Sequence, residues 1–205
     1  MEQSSIKNEY TAAILAGGKN TRFSGMTKAK MIIDGRPLIE KTIKTLQAVF
    51  NDIIIITNTK DEFSKYKHIR MTGDIYQGIG PLGGLHSAIL NTEGEAVFVV
   101  ACDMPELSAD IIRYIIREYE DTDCEVLIPE YNGHIEPLHA LYKRNILNRL
   151  ESFIETGRGY AIREFLKMVD DKYVIIGDNG KVKNPFLNIN KPEDLYNGES
   201  IRDLE

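Results

Sequence analysis

With 205 residues, 42% of them hydrophobic and 27% charged, the chain can bury one sheet under helices on both faces, and it shows neither the apolar depletion of disorder nor a membrane-length run. The net charge of −6 argues against broad nucleic-acid binding, which needs a basic face. Two cysteines, Cys102 and Cys124, are too few for a disulfide framework and too far apart for a CxxC motif, so both are expected reduced.

Residues 1–9 lack the basic start and apolar core of a signal peptide and are expected to be a flexible N-terminus on a cytoplasmic protein. Residues 10–16 form an apolar run that stops at Gly17-Gly18, as a buried strand entering a loop would. Pro37 can open a helix whose Leu38, Ile39, Ile43, Leu46, Val49 and Phe50 share one face. That helix leads to the four-isoleucine strand at 52–57, which lacks polar alternation and so fits a parallel strand covered on both sides. A weaker strand is expected at 69–72, a loop at 73–80, a helix at 81–90 and a buried strand at 96–100.

Ser108 is a plausible N-cap for a helix with Asp110 in its first turn and Ile111, Ile112, Ile115, Ile116 and Tyr119 on one stripe. Strands are then expected at 126–129 and 138–142, with a turn at 131–134 between them. Helices follow near 146–154 and 161–168, then strands at 173–176 and 185–189, and a tail at 198–205. The opening βαβαβ alternation predicts an α/β domain with a mostly parallel, right-handed sheet, and in such sheets ligands sit at the carboxyl ends of strands.

Chemistry concentrates in the loops at those ends. Between Glu9 and Asp34 there is no acidic residue, yet Lys19, Arg22, Lys28 and Lys30 all fall there, so an acidic chain keeps one cationic segment suited to a compact anion. Within it, Gly17-Gly18 lets backbone N–H groups approach a triphosphate, while Arg22 and Lys28 can neutralise its charge. Neither the GxxxxGKS/T phosphate loop nor the GxGxxG dinucleotide fingerprint is present. Cys102-Asp103-Met104-Pro105 follows the strand at 96–100, and an aspartate there can hold Mg²⁺ against phosphate oxygens. Glycines 80, 83 and 84 after Asp74 suit close backbone approach at a helix N-terminus.

The run from Leu15-Ala16-Gly17-Gly18 through Arg22 to Lys28, continued by Asp34-Gly35-Arg36-Pro37-Leu38, resembles the signature of the molybdenum cofactor guanylyltransferases. These are nucleotidyltransferases with a glycosyltransferase-A-like fold. The resemblance extends to Cys102-Asp103-Met104-Pro105, to Gly80-Pro81-Leu82-Gly83, to Glu136-Pro137-Leu138-His139 and to Phe186-Leu187-Asn188-Ile189-Asn190. Thr27 departs from it, standing where an Asp is usual, and Ser24 stands where Gly is commoner.

What the resemblance implies is a single-domain, Rossmann-like three-layer sandwich over residues 1–205, transferring GMP from GTP to molybdopterin with Mg²⁺. Leu15, Ala16, Gly17, Gly18, Lys28, Asn58, Asp74, Gly83 and Asp103 would bind the nucleotide, with Lys28, Arg22 and Asp103 stabilising charge and Asp103 holding the metal. His139, Asn188 and Asn190 would meet the acceptor. A monomer or weak homo-oligomer is expected, touching other molybdenum cofactor biosynthesis proteins transiently, with no nucleic acid or membrane as partner. A cytidylyltransferase acting on molybdopterin or another phosphorylated metabolite is the alternative within the class. Thr27 motivates a third reading, a catalytically silent nucleotide-binding partner.

Overall fold

The first strand, β1 (Tyr10–Leu15), is buried at every position because its alternate side chains feed two different cores. The computed structural model describes residues 10–17, 28–177 and 185–187. After a 3₁₀ turn at Lys28–Lys30 come β2 (Ile32–Ile33), β3 (Arg36–Pro37), α1 (Leu38–Gln47) and β4 (Asp52–Ile56). A second 3₁₀ segment, Lys60–Tyr66, precedes β5 (Arg70–Thr72), α2 (Pro81–Leu90), β6 (Ala96–Ala101) and α3 (Ala109–Glu120). The chain continues through β7 (Val126–Tyr131), β8 (His134–Ile135), β9 (His139–Lys143), α4 (Leu147–Glu155), α5 (Ile162–Leu166) and β10 (Asp171–Ile175).

The main sheet runs β10-β7-β9-β6-β1-β4-β5, with β8 hairpinned onto β7. β1 pairs in parallel with β4 and β6, setting Ile14 beside Ile55 on one side and Val100 on the other. β4–β5 and β7–β10 are also parallel, whereas β9 is antiparallel to both its neighbours. Its direction is what the strand pattern at 138–142 left open, since an apolar run carries no signature of strand polarity.

Alternation along β1 assigns the layers. Ala12 and Ile14 join the core under α1 and α3, where Ile39, Ile43, Leu46, Ile112, Ile115 and Ile116 pack. Ala13 and Leu15 join the core under α2, α4 and α5, with Leu82, Leu85, Leu150 and Phe165. Ile14, Ile55, Ile112 and Leu85 are fully buried, each contributing about 1.5–3 kcal/mol. The result is the three-layer sandwich anticipated from the βαβαβ start.

Local chemistry sets several boundaries. Ser108 caps α3, its hydroxyl accepting the Ile111 N–H at 3.5 Å. Asn132 and Gly133, with φ of 51° and 75°, make the tight turn between β7 and β8. Asp34 and Gly35, with φ of 50° and 75°, make an equivalent turn between β2 and β3, a hairpin the sequence pattern did not indicate. The strand expected at 185–189 is not formed by its described part: Pro185–Leu187 is a turn that buries Phe186 against Tyr131 and His139. Among the described residues no helix is long and apolar enough to cross a membrane.

Candidate active site

Three parallel strands deliver three loops to one edge of the sheet. Past the ends of β1, β4 and β6 the ladder continues one step, through Ala16 N–H to the Ile56 carbonyl at 2.9 Å and Cys102 N–H to the Leu15 carbonyl at 3.1 Å. Gly17, Asn58 and Asp103 are therefore carried to the same side. They line one cleft of about 1070 Å³, together with Leu15, Ala16, Lys28 and Asp74.

Lys28 and Asp103, 75 residues apart, meet across this cleft, Nζ to Oδ2 at 2.9 Å. Lys28 starts the 3₁₀ turn anchored by the buried Ala29, and Asp103 follows the last residues of β6, so both come from packed ends. Their side chains keep 25% and 18% of their exposure, enough to reach a ligand and little enough to strengthen the attraction over that in open water. Gly80 opens α2 with φ of 68°, and Pro81 occupies its first turn, so the N-terminal end of that helix borders the same cleft.

A second hollow of about 780 Å³ adjoins the first through Asn58, Thr59, Asp74 and Gln77. Here Asn58 and Asp74 are tied reciprocally: the Asn58 amide donates to Asp74 Oδ2 at 2.9 Å, and its oxygen accepts the Asp74 N–H at 2.8 Å. Asn58, expected to bind the nucleotide, thus has its amide oxygen and one N–H already serving Asp74. Gly73 is required for this approach, since a Cβ there would lie 2.8 Å from Asn58 Oδ1. Burial pushes the Asp74 carboxyl above the usual carboxylate range, with the Asn58 hydrogen bond opposing that shift.

Two expected contacts need correction. His139 is fully buried on β9, its ring edge-to-face with Phe98 at 5.1 Å and Phe186 at 4.9 Å, and neither ring nitrogen has a hydrogen-bond partner among the described residues. Burial pushes its pKa down to about 3, so it is a neutral core group, unable to hold an acceptor phosphate. Gly83 does not line the cleft either; a Cβ at that position would stand 2.5 Å from the Tyr76 carbonyl oxygen, so this glycine lets α2 pack under the preceding loop. Gly84, one residue on, does line it. Gly18, Arg22, Asn188 and Asn190 lie outside the described residues.

Cys102 sits beside Asp103 but is no nucleophile, since burial raises its thiol pKa to about 12. The cleft also contains residues that sequence reasoning did not single out: Gln77, Thr59, His134 and Arg163. Glu136, which opens the segment Glu136-Pro137-Leu138-His139, lines it as well, whereas Arg163 carries no local signal because its place depends on how α5 packs beside β8.

Asp103 is a carboxylate in direct contact with Lys28, and among the described residues no group of three or more carboxylate, imidazole or thiolate side chains converges. A divalent ion here would thus take ligands from substrate phosphates as well as from Asp103, the donor set that Mg²⁺ favours. An α/β sheet with a glycine loop, a lysine and a strand-end aspartate at its carboxyl edge defines a nucleotidyltransferase-type cleft.

The family model of the MobA-like NTP transferase domain matches residues 12–172, and the chain belongs to that family. A relative from Clostridium perfringens described as a probable molybdenum cofactor guanylyltransferase is 35% identical over 199 residues, covering 93% of this chain and 98% of the relative. A molybdenum cofactor guanylyltransferase from Desulfosudis oleivorans is 32% identical over 194 residues, covering 93% of this chain and 94% of its own. The crystal structure of molybdopterin-guanine dinucleotide biosynthesis protein A from Archaeoglobus fulgidus superposes with a TM-score of 0.78 at 26% identity, covering 93% and 97% of the two chains.

Proposed function

We propose that the protein transfers GMP from GTP to the terminal phosphate of molybdopterin, releasing pyrophosphate, with Mg²⁺ as the metal. The observation that carries this reading is the 2.9 Å approach of Lys28 and Asp103 in a cleft that the Gly17 loop also enters. The names borne by its relatives supply the substrates; the geometry supplies what such a transfer needs.

In this reading the triphosphate lies along the backbone after β1, where Gly17 offers no Cβ to obstruct it. Lys28 neutralises negative charge at the reacting phosphate, and Asp103 would hold Mg²⁺. When bound, the metal offsets charge on the phosphate oxygens in the transition state. The nucleoside extends toward Asp74 and the adjoining hollow. The acceptor phosphate attacks the α-phosphorus in line and pyrophosphate leaves, so no protein nucleophile is needed. Positioning and charge stabilisation supply most of the rate in such transfers.

The test is to incubate the protein with molybdopterin, Mg²⁺ and each of GTP, CTP and ATP, and to identify the dinucleotide by mass. The guanine dinucleotide with stoichiometric pyrophosphate is expected. A cytosine dinucleotide would replace guanine by cytosine in this reading, and binding of GTP without pyrophosphate release would replace the enzyme by a silent nucleotide-binding protein.

A further inference from the structure

The wall of the cleft made by the segment from β8 to β9 carries a carboxylate that the transfer chemistry leaves unused. Glu136 is fixed through its backbone, its N–H donating to the Pro129 carbonyl at 2.9 Å and its carbonyl accepting the His139 N–H at 3.0 Å. Two residues on, the Leu138 carbonyl accepts the Ala101 N–H at 3.1 Å, two residues before Asp103, so sheet pairing ties this wall to the metal-side loop. Glu136 lines the same cleft as Lys28 and Asp103.

This carboxylate is half-buried, and among the described residues it makes no side-chain hydrogen bond and no ion pair. Arg163 and His134, also on the cleft, favour its charge, but neither comes within ion-pair distance. Burial outweighs them and pushes its pKa above the usual carboxylate range. A partly desolvated carboxylate without donors is costly unless a ligand provides them. Ile135, Pro137 and Leu138, its neighbours in the chain, add apolar lining to the same cleft. A carboxylate accepts at two oxygens at once, which suits a planar group presenting two adjacent N–H donors.

From this setting we infer that Glu136 recognises the acceptor by taking the paired N–H donors of its 2-amino-4-oxo ring, an edge that a pterin shares with guanine, whose nucleoside the proposed function places toward Asp74. The inference rests on the proposed transfer to a pterin phosphate and adds to it a residue that selects the acceptor. It concerns the ring end of the acceptor, away from the phosphate that reacts, so loss of Glu136 acts on acceptor binding and leaves the bond-forming groups in place.

The experiment uses the full chain with GTP and Mg²⁺, titrated with 6-hydroxymethylpterin and with the matching lumazine, in which the 2-amino group is an oxygen. The ligands' own fluorescence reports binding, and the chain contains no tryptophan to interfere. Pterin should bind at least tenfold more tightly than lumazine. Glu136→Gln, which preserves shape, should weaken pterin binding tenfold or more and abolish the preference, with GTP affinity, Mg²⁺ dependence and Tm unchanged. Equal binding of the two ligands, a variant with undiminished preference, or a variant whose loss lies in Mg²⁺ dependence would each overturn the inference. A chain that forms the dinucleotide from GTP and molybdopterin yet shows no pterin preference fails here alone. A chain that prefers pterin through Glu136 and forms no dinucleotide fails only in the transfer reading.

Discussion

Asn58 and Asp74 hold each other by two hydrogen bonds of opposite sense, amide to carboxylate at 2.9 Å and backbone N–H to amide oxygen at 2.8 Å. The pair pins the loop after β5 to the end of β4, and it fixes where the Asp74 carboxylate stands between the two hollows. Because each bond is near the surface, its contribution to stability is modest, about 0.5–1.5 kcal/mol. Under the proposed transfer its larger effect is on the geometry offered to the nucleoside.

Asn58→Ala should therefore raise the KM for GTP about tenfold, equivalent to about 1.4 kcal/mol of lost binding, with little change in Tm. Asn58→Asp should be worse than Asn58→Ala, because it sets a second carboxylate against Asp74. Steady-state kinetics of the two variants decides the matter: if Asn58→Asp matches the parent, the clamp does not control nucleotide binding.

Lys28 and Asp103 make a different prediction. Replacing Lys28 or Asp103 by Ala should lower turnover by a factor on the order of 10² or more, since under the proposed transfer each removes a charge that acts at the reacting phosphate. The double variant should lose less than the product of the two single losses, because the groups share one pair at 2.9 Å. Single-turnover rates with saturating GTP and Mg²⁺ measure this directly, and a Lys28→Ala enzyme with parental turnover would remove the lysine from the mechanism.

Adjacent glycines in α2 should respond unequally to a methyl group. Gly83→Ala drives its Cβ to 2.5 Å from the Tyr76 backbone oxygen, which cannot move without displacing the loop. Gly84→Ala meets the Leu15 side chain at 3.2 Å, and a leucine can adjust. Both gain about 1 kcal/mol of helix propensity. Gly83→Ala should nonetheless destabilise by about 1–3 kcal/mol of overpacking, while Gly84→Ala stays within about 1 kcal/mol of the parent. Urea unfolding of the two variants gives both numbers.

His139 predicts a pH dependence of stability. In the folded protein burial depresses its pKa to about 3, whereas unfolding returns it to the ordinary 6.5. Above pH 6.5 the residue is neutral in both states and has no effect. As pH falls from 6.5 toward 3, only the unfolded chain takes up the proton, so stability declines by about 1.4 kcal/mol per pH unit from this group. His139→Phe removes that slope between pH 6 and 4, where ΔG from urea melts is to be compared with the parent. A variant with the same slope as the parent would show that His139 titrates normally in the fold.

Some of this was legible in single segments. The run before Gly17-Gly18 became β1, the span from Pro81 to Leu90 became α2 with the anticipated bounds, and Ser108 capped α3. Each depends on nearby residues alone: apolar continuity, proline at a first turn, a hydroxyl three residues from a free N–H. The Asp34-Gly35 hairpin, equally local, went unread because the following Arg36-Pro37-Leu38 looked like the approach to a helix.

By itself the sequence determined the α/β alternation, the sheet's two-sided burial, and the residue types in the loops at its carboxyl edge, because hydrophobic period and glycine and proline placement act over a few residues. Only the tertiary structure decided that Lys28 reaches Asp103, that Asn58 serves Asp74, that His139 is enclosed by Phe98 and Phe186, and that Glu136 lies on the cleft with no side-chain partner among the described residues. Those relations join segments up to 75 residues apart. They follow from strand order and from the antiparallel insertion of β9 between β6 and β7, and no short window of sequence encodes which distant strand will lie alongside.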